Sequence, residues 1–397
     1  MTDPPTPVGG DYAPSVQRRV AFFRHAGGVV VPLVTATIAF AISGLVVLAS
    51  GHNPLRTYQA IFNGTGLNWL FPWVSGEERM LAALNLQQTL LIATPLVLTG
   101  LAVAFAFRCG MFNIGGQGQY IVGQVFAIWV GTTMSNLQPF LHILFAVVAG
   151  ALAGAAWAGI AGFLKATVGA HEVISTIMLN WIAVWTGAYL FGQGGPLQNS
   201  TQPAIPISND VVDKAKLPVF WGDPLLQGLH VGFFIAIAAL VVFWIVLNRT
   251  TLGYEVRAVG FNPEAARYGG ISVRRNYFLA MAISGLFAGL AGAIDILGWQ
   301  FRLGDIDVKT STIGFVGIAV ALLGRNTAVG VGAAALLFGA LLNGTSGRQL
   351  DPSVFSPNLA SNLTLIIQGL IVLFVGADVL VTGAWAARRR LVPGRKA

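Results

Sequence analysis

Ten stretches of the 397-residue chain are apolar enough to leave water, and they dictate what it can fold into. They cover about 28 to 50, 84 to 107, 114 to 134, 140 to 164, 173 to 192, 229 to 247, 276 to 298, 310 to 324, 326 to 345 and 361 to 383. A run of about 20 such residues crosses a bilayer as a helix, because a helix satisfies its own backbone polar groups where no water can. Charged residues are 10% of the chain, against roughly 25% in ordinary soluble domains. The expected fold is an all-α polytopic membrane protein of about ten transmembrane helices. The runs at 114 to 134 and 310 to 324 are candidates for broken or re-entrant segments. The first run is too long for a cleaved signal core and has no convincing cleavage site, so it is read as a retained span.

Residues 1–22 are polar and proline-bearing and read as a disordered tail, 23–386 as the membrane domain, and 387–397 as a basic tail. Arg18, Arg19 and Arg24 flank the first span, and Arg388, Arg389, Arg390, Arg395 and Lys396 follow the last. An even number of crossings then puts both ends on the cytoplasmic side. The same count places Arg108, Lys165, Arg325 and the loop of about 249–275 there too. The connection of about 193–228 faces outward as an ordered loop. Between His52 and Met80, Trp69 and Trp73 suit a membrane–water interface, where an amphipathic surface helix fits. The net charge of +8 sits beside apolar spans, so topology explains it and nucleic acid is not expected as a partner. A single cysteine, Cys109, excludes an internal disulfide and a cysteine-rich metal cluster.

Two stretches carry most of the specific signal. GYEVRAVGFNPEAARYGGI, residues 253–271, contains a short helix with its own punctuation. Asn262 can cap it, Pro263 suits the first helical position, and Gly269 with Gly270 can supply the left-handed turn that ends it. Six residues make a rod about 9 Å long, which needs support from neighbouring spans or a partner. Arg257, Glu264 and Arg267 favour a polar partner surface. RCGMFNIGGQGQY, residues 108–120, sets four glycines and three side-chain amides where a span enters the membrane. Unwound backbone at that depth needs protein or a water-filled cavity around it. Asn113, Gln117 and Gln119 either line a hydrated route or lock a bend, and Gly115, Gly116 and Gly118 alternatively serve close helix contact.

Other polar groups within apolar runs are Gln87, Gln88, Asn180 and Asp295. The uncharged ones fit either a route for a neutral polar solute or bonds between helices. Asp295 is a functional candidate, since a buried charge is costly, or a solvated group near the external end beside Arg302 or Lys309. Gly150 with Gly154, and Gly285 with Gly289, have the four-residue spacing of close helix contacts. His171 and Glu172 do not complete a zinc-protease motif, because position 175 is Ser175, so no metal is expected. No GxxxxGK[ST] loop occurs, so ATP, if it drives this protein, is hydrolysed elsewhere.

FNIGGQGQ, HEVISTIMLNW and RAVGFNPEAARYGGI, in that order, resemble the permease subunits of bacterial ATP-binding-cassette importers, in the nucleoside branch related to ribose and branched-chain amino-acid permeases. The resemblance runs from about Thr57 to Gly376. It implies a non-catalytic permease in the bacterial plasma membrane. It further implies a separate ATPase subunit that carries ATP and Mg, a second and shorter homologous permease, and an extracytoplasmic lipoprotein that delivers a small polar solute such as a nucleoside. The 262–268 helix becomes a coupling helix docked on the ATPase, with Arg257, Gly260, Asn262, Pro263, Glu264, Ala265, Ala266 and Arg267 as its residues. The small Ala265 and Ala266 would permit close approach. The translocation pathway is assigned to Gln88, Asn113, Gly116, Gln117, Gln119, Asn180 and Asp295. Two positions depart from the family pattern: Gln117 stands where glutamate is usual, and His171 where asparagine is. The first change keeps hydrogen bonding and removes a charge. A ribose or simple-sugar permease is the alternative in the same class. Asp295 is nearly the only acid available to an ion-driven carrier, and neither paired acids nor a histidine cluster points to an intramembrane enzyme.

Overall fold

The computed structural model describes residues 37–49, 51–134, 136–223 and 228–346, together with 362, 365–367, 369, 370 and 373. The two expected tails, the start of the first apolar run and most of the last lie outside the described residues. Helix α1 covers Thr37–Ala49 and α2 covers Pro54–Thr65, which begins where Asn53 Oδ1 accepts the Leu55 N–H at 2.9 Å and ends at Gly66. The long α3 spans Gly76–Arg108. It is followed by α4, Gly116–Thr133, α5, Pro139–Val168, and α6, Glu172–Phe191. A two-stranded antiparallel hairpin, β1 Val219–Trp221 and β2 Leu229–His230, precedes α7, Gly232–Arg249. Then come α8, Thr251–Phe261, α9, Pro263–Tyr268, and α10, Val273–Asp295, which runs into a π-helical turn at Ile296–Gln300. Helices α11, Asp305–Thr310, α12, Ile313–Leu323, and α13, Ala328–Gly344, follow, and the described residues from 362 to 373 are helical.

Among the described residues, six segments are long and apolar enough to cross a membrane: α3, α5, α6, α7, α10 with its π turn, and α11 with α12. The chain is an all-α polytopic membrane protein. Helix α13 has 17 residues, and α4 has 18 but carries Gln117, Gln119 and Gln124, so neither is a long uninterrupted apolar helix. The 310–324 run is broken where Ser311 and Thr312 separate α11 from α12.

Burial sorts the spans into centre and rim. In α3, 83% of the most apolar window is inside the protein, against 28% in α6 and α7, so α3 is the axis and the other two present apolar faces outward. Helix α10 packs on α5, α4 and α3. Its contact with α5 is backbone on backbone: a Cβ added to Gly154 would stand 2.4 Å from Gly285 O, and one on Gly289 would stand 2.4 Å from Gly150 O. Without an apolar driving force between helices in lipid, close approach of small residues is a principal source of attraction.

Residues 192–223 are folded over the end of α10. Ser208 N donates to Leu303 O at 2.9 Å, Val211 N to Phe301 O at 2.7 Å, and Leu217 N to Leu297 O at 2.8 Å. Trp69 meets both the Arg79 guanidinium and Trp221, while Trp73 stacks on Phe71 and stays exposed. On β2, His230 is buried over Gly298, with its Nδ1 accepting the Gly232 N–H at 3.1 Å. Burial pushes its pKa down from 6.5 to about 4. The unfolded chain takes up that proton near pH 6.5 and the folded chain holds out until about 4, so this contribution is full above pH 6.5 and shrinks as pH falls. Thermal unfolding of the purified protein between pH 7 and 4.5 is expected to show a loss of roughly 2 kcal/mol. The variant H230Q should lack that slope.

Candidate functional site

Helix α3 stops at Arg108 because Gly110, at φ 73°, turns the chain out of the helical path. Residues 111–114 then run without regular structure inside the protein before α4 starts at Gly116. Side-chain amides replace the helical bonds that the break removes. Asn113 Oδ1 accepts from Gly115 N at 2.8 Å and from Gln119 Nε2 at 3.0 Å, while its Nδ2 donates to Gln119 Oε1 at 3.0 Å and to Ser284 Oγ at 2.7 Å. From α6, Asn180 Oδ1 accepts the Gly118 N–H at 2.7 Å and its Nδ2 donates to Ile114 O at 2.9 Å. Gln117 Oε1 accepts the Gly314 N–H at 2.8 Å, whereas its buried Nε2 has no partner among the described residues. Gly116 lies against the Gly314 carbonyl, where an added Cβ would be 3.4 Å away. The break is thus tied to α6, α10 and α12 at once.

One residue further along α4 begins a second polar layer. Asp295 is buried and accepts from the Tyr120 hydroxyl, from Trp299 Nε1, and from Gln300 Nε2 at 3.0 Å. Gln124 Nε2 donates to Tyr120 Oη at 3.0 Å and to Gln300 Oε1 at 3.1 Å. The π turn after Asp295 brings side chains four and five positions on back to the same carboxylate. This corrects the solvated alternative: Asp295 meets neither Arg302 nor Lys309, and Lys309 pairs with Asp305 at 2.8 Å. Tyr120, Gln124, Trp299, Gln300 and Ser284 were not singled out from sequence, although Tyr120 and Gln124 stand four apart on one helix face. Substituting Asp295 by alanine orphans three donors, and thermal unfolding is expected to fall by at least about 3 kcal/mol. D295N keeps an acceptor and should lose less than half of that.

Gln88 is half-buried toward the other end of α3, apart from the break, and its neighbour Gln87 reaches the hairpin beside Gly222. Glu172 pairs with Lys165 at 2.7 Å.

The 250–271 loop forms a two-helix arm. Thr250 Oγ1 accepts from Gly253 N at 3.1 Å to start α8, and Asn262 Oδ1 accepts from Ala265 N at 3.0 Å to start α9. Gly270 alone takes the left-handed conformation, at φ 82°, and Gly269 stays at φ −76° because the last turn still closes on the Ala265 and Arg267 carbonyls. Gly260 seats the arm on the bundle, since a Cβ there would lie 2.3 Å from Arg108 O. Glu264 and Arg267 form an exposed pair at 3.5 Å, and Pro263 is the first residue of α9. Ala265 faces solvent, but Ala266 is buried against the protein's own core, so it supports the arm from inside rather than meeting a partner. Arg257 lines a cleft beside Arg108. The feature missed from sequence is aromatic: Phe261, the last residue of α8, is 94% exposed and Tyr268, the last of α9, is 93% exposed.

Known proteins share this sequence over most of its length. The family model described as the branched-chain amino acid transport system permease component matches residues 85–376. A guanosine ABC transporter permease protein of Bacillus subtilis is 37% identical over 88% of this chain and 94% of its own. A nucleoside ABC transporter permease protein of Lactococcus lactis is 32% identical over 89% and 92%, and a glucose ABC transporter permease protein of Haloferax volcanii is 33% identical over 91% and 89%.

Proposed function

The chain belongs to the permease family of branched-chain amino acid transport systems, and from that premise we propose that it is the membrane subunit of an ATP-driven nucleoside importer. The observation that carries the mechanism is the exposed α8–α9 arm, rooted on the bundle through Gly260 and presenting Phe261 and Tyr268 to a partner. The substrate class rests on the guanosine and nucleoside permeases that match nearly end to end.

In this reading the nucleotide and its Mg belong to a separate ATPase subunit. Closure of that ATPase pushes α9, the arm transmits the push to α3 and α10, and the spans rock between inward-open and outward-open states. A solute gains from the cycle only if it prefers one state. The polar layers on α4 are the proposed pathway, with the buried, unpartnered Gln117 Nε2 offered to a solute's hydrogen-bond acceptor once the spans move apart. A second permease covers part of the exposed apolar rim, and an extracytoplasmic lipoprotein delivers the solute. The membrane is the bacterial plasma membrane with both chain ends cytoplasmic.

The test is uptake of labelled guanosine by vesicles containing the assembled transporter. Uptake that requires ATP and survives collapse of the ion gradients is expected. Uptake that follows the gradients instead would overturn the mechanism. The glucose permease relative supports a simple sugar as the second reading, so glucose competing with guanosine at equal concentration would shift the substrate class.

A further inference from the structure

A cleft of about 280 Å³ lies where α3, α7, α8 and the α12–α13 turn meet, and Arg108 and Arg257 both line it. The Arg257 charge is near enough to act on Arg108. Neither guanidinium has a carboxylate partner among the described residues. Arg108 donates through Nε and Nη2 to Asn326 O, at 2.9 and 2.7 Å, which neutralises no charge. Two uncompensated cations held side by side favour an anion between them.

Three polar side chains, Asn248, Asn326 and Thr327, share the lining, and its apolar remainder says which kind of anion. Phe243 and Leu247 are buried at the back, while Trp244 and Val329 are exposed at the mouth. From the mouth an exposed apolar strip continues along α7 through Val241 and Ile237 to Phe234. Trp244 to Phe234 rises roughly 15 Å along the helix, which matches one leaflet of a hydrocarbon core about 30 Å thick. Arg108 and Arg249 are the last residues of their helices, so the cleft sits at headgroup depth, and the Arg249 guanidinium lies over the Trp244 ring as an interfacial cation does.

We infer that this cleft is a binding site for an anionic phospholipid, with the headgroup phosphate between Arg108 and Arg257 and one acyl chain along the outer face of α7. Arg257 is on α8 and Arg108 ends the central span, so the lipid bridges the coupling arm and the bundle at its root. The site goes beyond the transport reading and does not depend on which solute is carried.

The experiment uses the assembled transporter in phosphatidylcholine nanodiscs, titrated with phosphatidylglycerol and read by native mass spectrometry. Wild type is expected to retain phosphatidylglycerol over phosphatidylcholine, and R108Q/R257Q to lose roughly tenfold of that preference. R108K/R257K should recover part of it, and R274Q, in the first turn of α10 and outside the cleft, should match wild type. Equal retention of the two lipids by wild type overturns the site whatever the variants do. Displacement of phosphatidylglycerol by millimolar inorganic phosphate would make it a site for a free anion. Loss of the ATPase from R108Q/R257Q with lipid retention unchanged would assign the arginines to an acidic protein partner.

Discussion

Alanine at both Phe261 and Tyr268 is expected to reduce ATP-dependent nucleoside uptake to background and to weaken retention of the ATPase by at least about 30-fold, while thermal unfolding of the permease itself stays unchanged. Both side chains are more than nine-tenths exposed, so truncation removes almost no contact within the chain. Large aromatics that anchor an interface are worth about 2 kcal/mol or more each when truncated, and that amount is about 30-fold in binding. The double variant E264A/R267A should uncouple uptake in the same way. Its pair is exposed at 3.5 Å, and such surface pairs contribute about 0–1 kcal/mol to stability. Uptake and ATPase retention at wild-type levels in both variants would remove the arm from the coupling mechanism.

Valine at Gly289 should have the largest effect on the fold. Its Cβ position is 2.4 Å from Gly150 O and 2.9 Å from Gly154 Cα, and Gly289 O lies 2.4 Å from the place where a Cβ on Gly123 would stand. Backbones of α4, α5 and α10 therefore meet at one residue, and none of them can yield as a side-chain tip does. Overpacking commonly costs about 1–3 kcal/mol, and more where backbone must move, so G289V is expected to give little monodisperse protein in detergent. G289A should fold with a clearly lowered unfolding temperature. The comparison variant is G159A, where the nearest atom to the new Cβ is on the Phe278 ring at 3.4 Å. Equal unfolding temperatures for G289A and G159A would show that the helices part without penalty.

Hydropathy and helix punctuation are properties of neighbouring residues, and they were legible without the fold. The apolar runs, the Asn262 cap with Pro263 behind it, the break between Arg108 and Gly116, and the close glycine pairs all follow from chemistry read along a few turns of chain. The family's three motifs lie in the same class, since each is a continuous string.

What depended on tertiary structure was every relation between distant segments. Asn113 meets Ser284 and Tyr120 meets Asp295 across more than 170 positions. Ala266 turns inward because the arm lies down on the bundle, and Phe261 is left outside for the same reason. The side chain of an aromatic or an acid carries no mark of which helix will stand beside it. That is decided by which backbones can approach at their glycines, and so the sequence by itself determined a bundle of spans with a capped arm, while close packing alone decided which polar groups share a layer and which face of the arm is free.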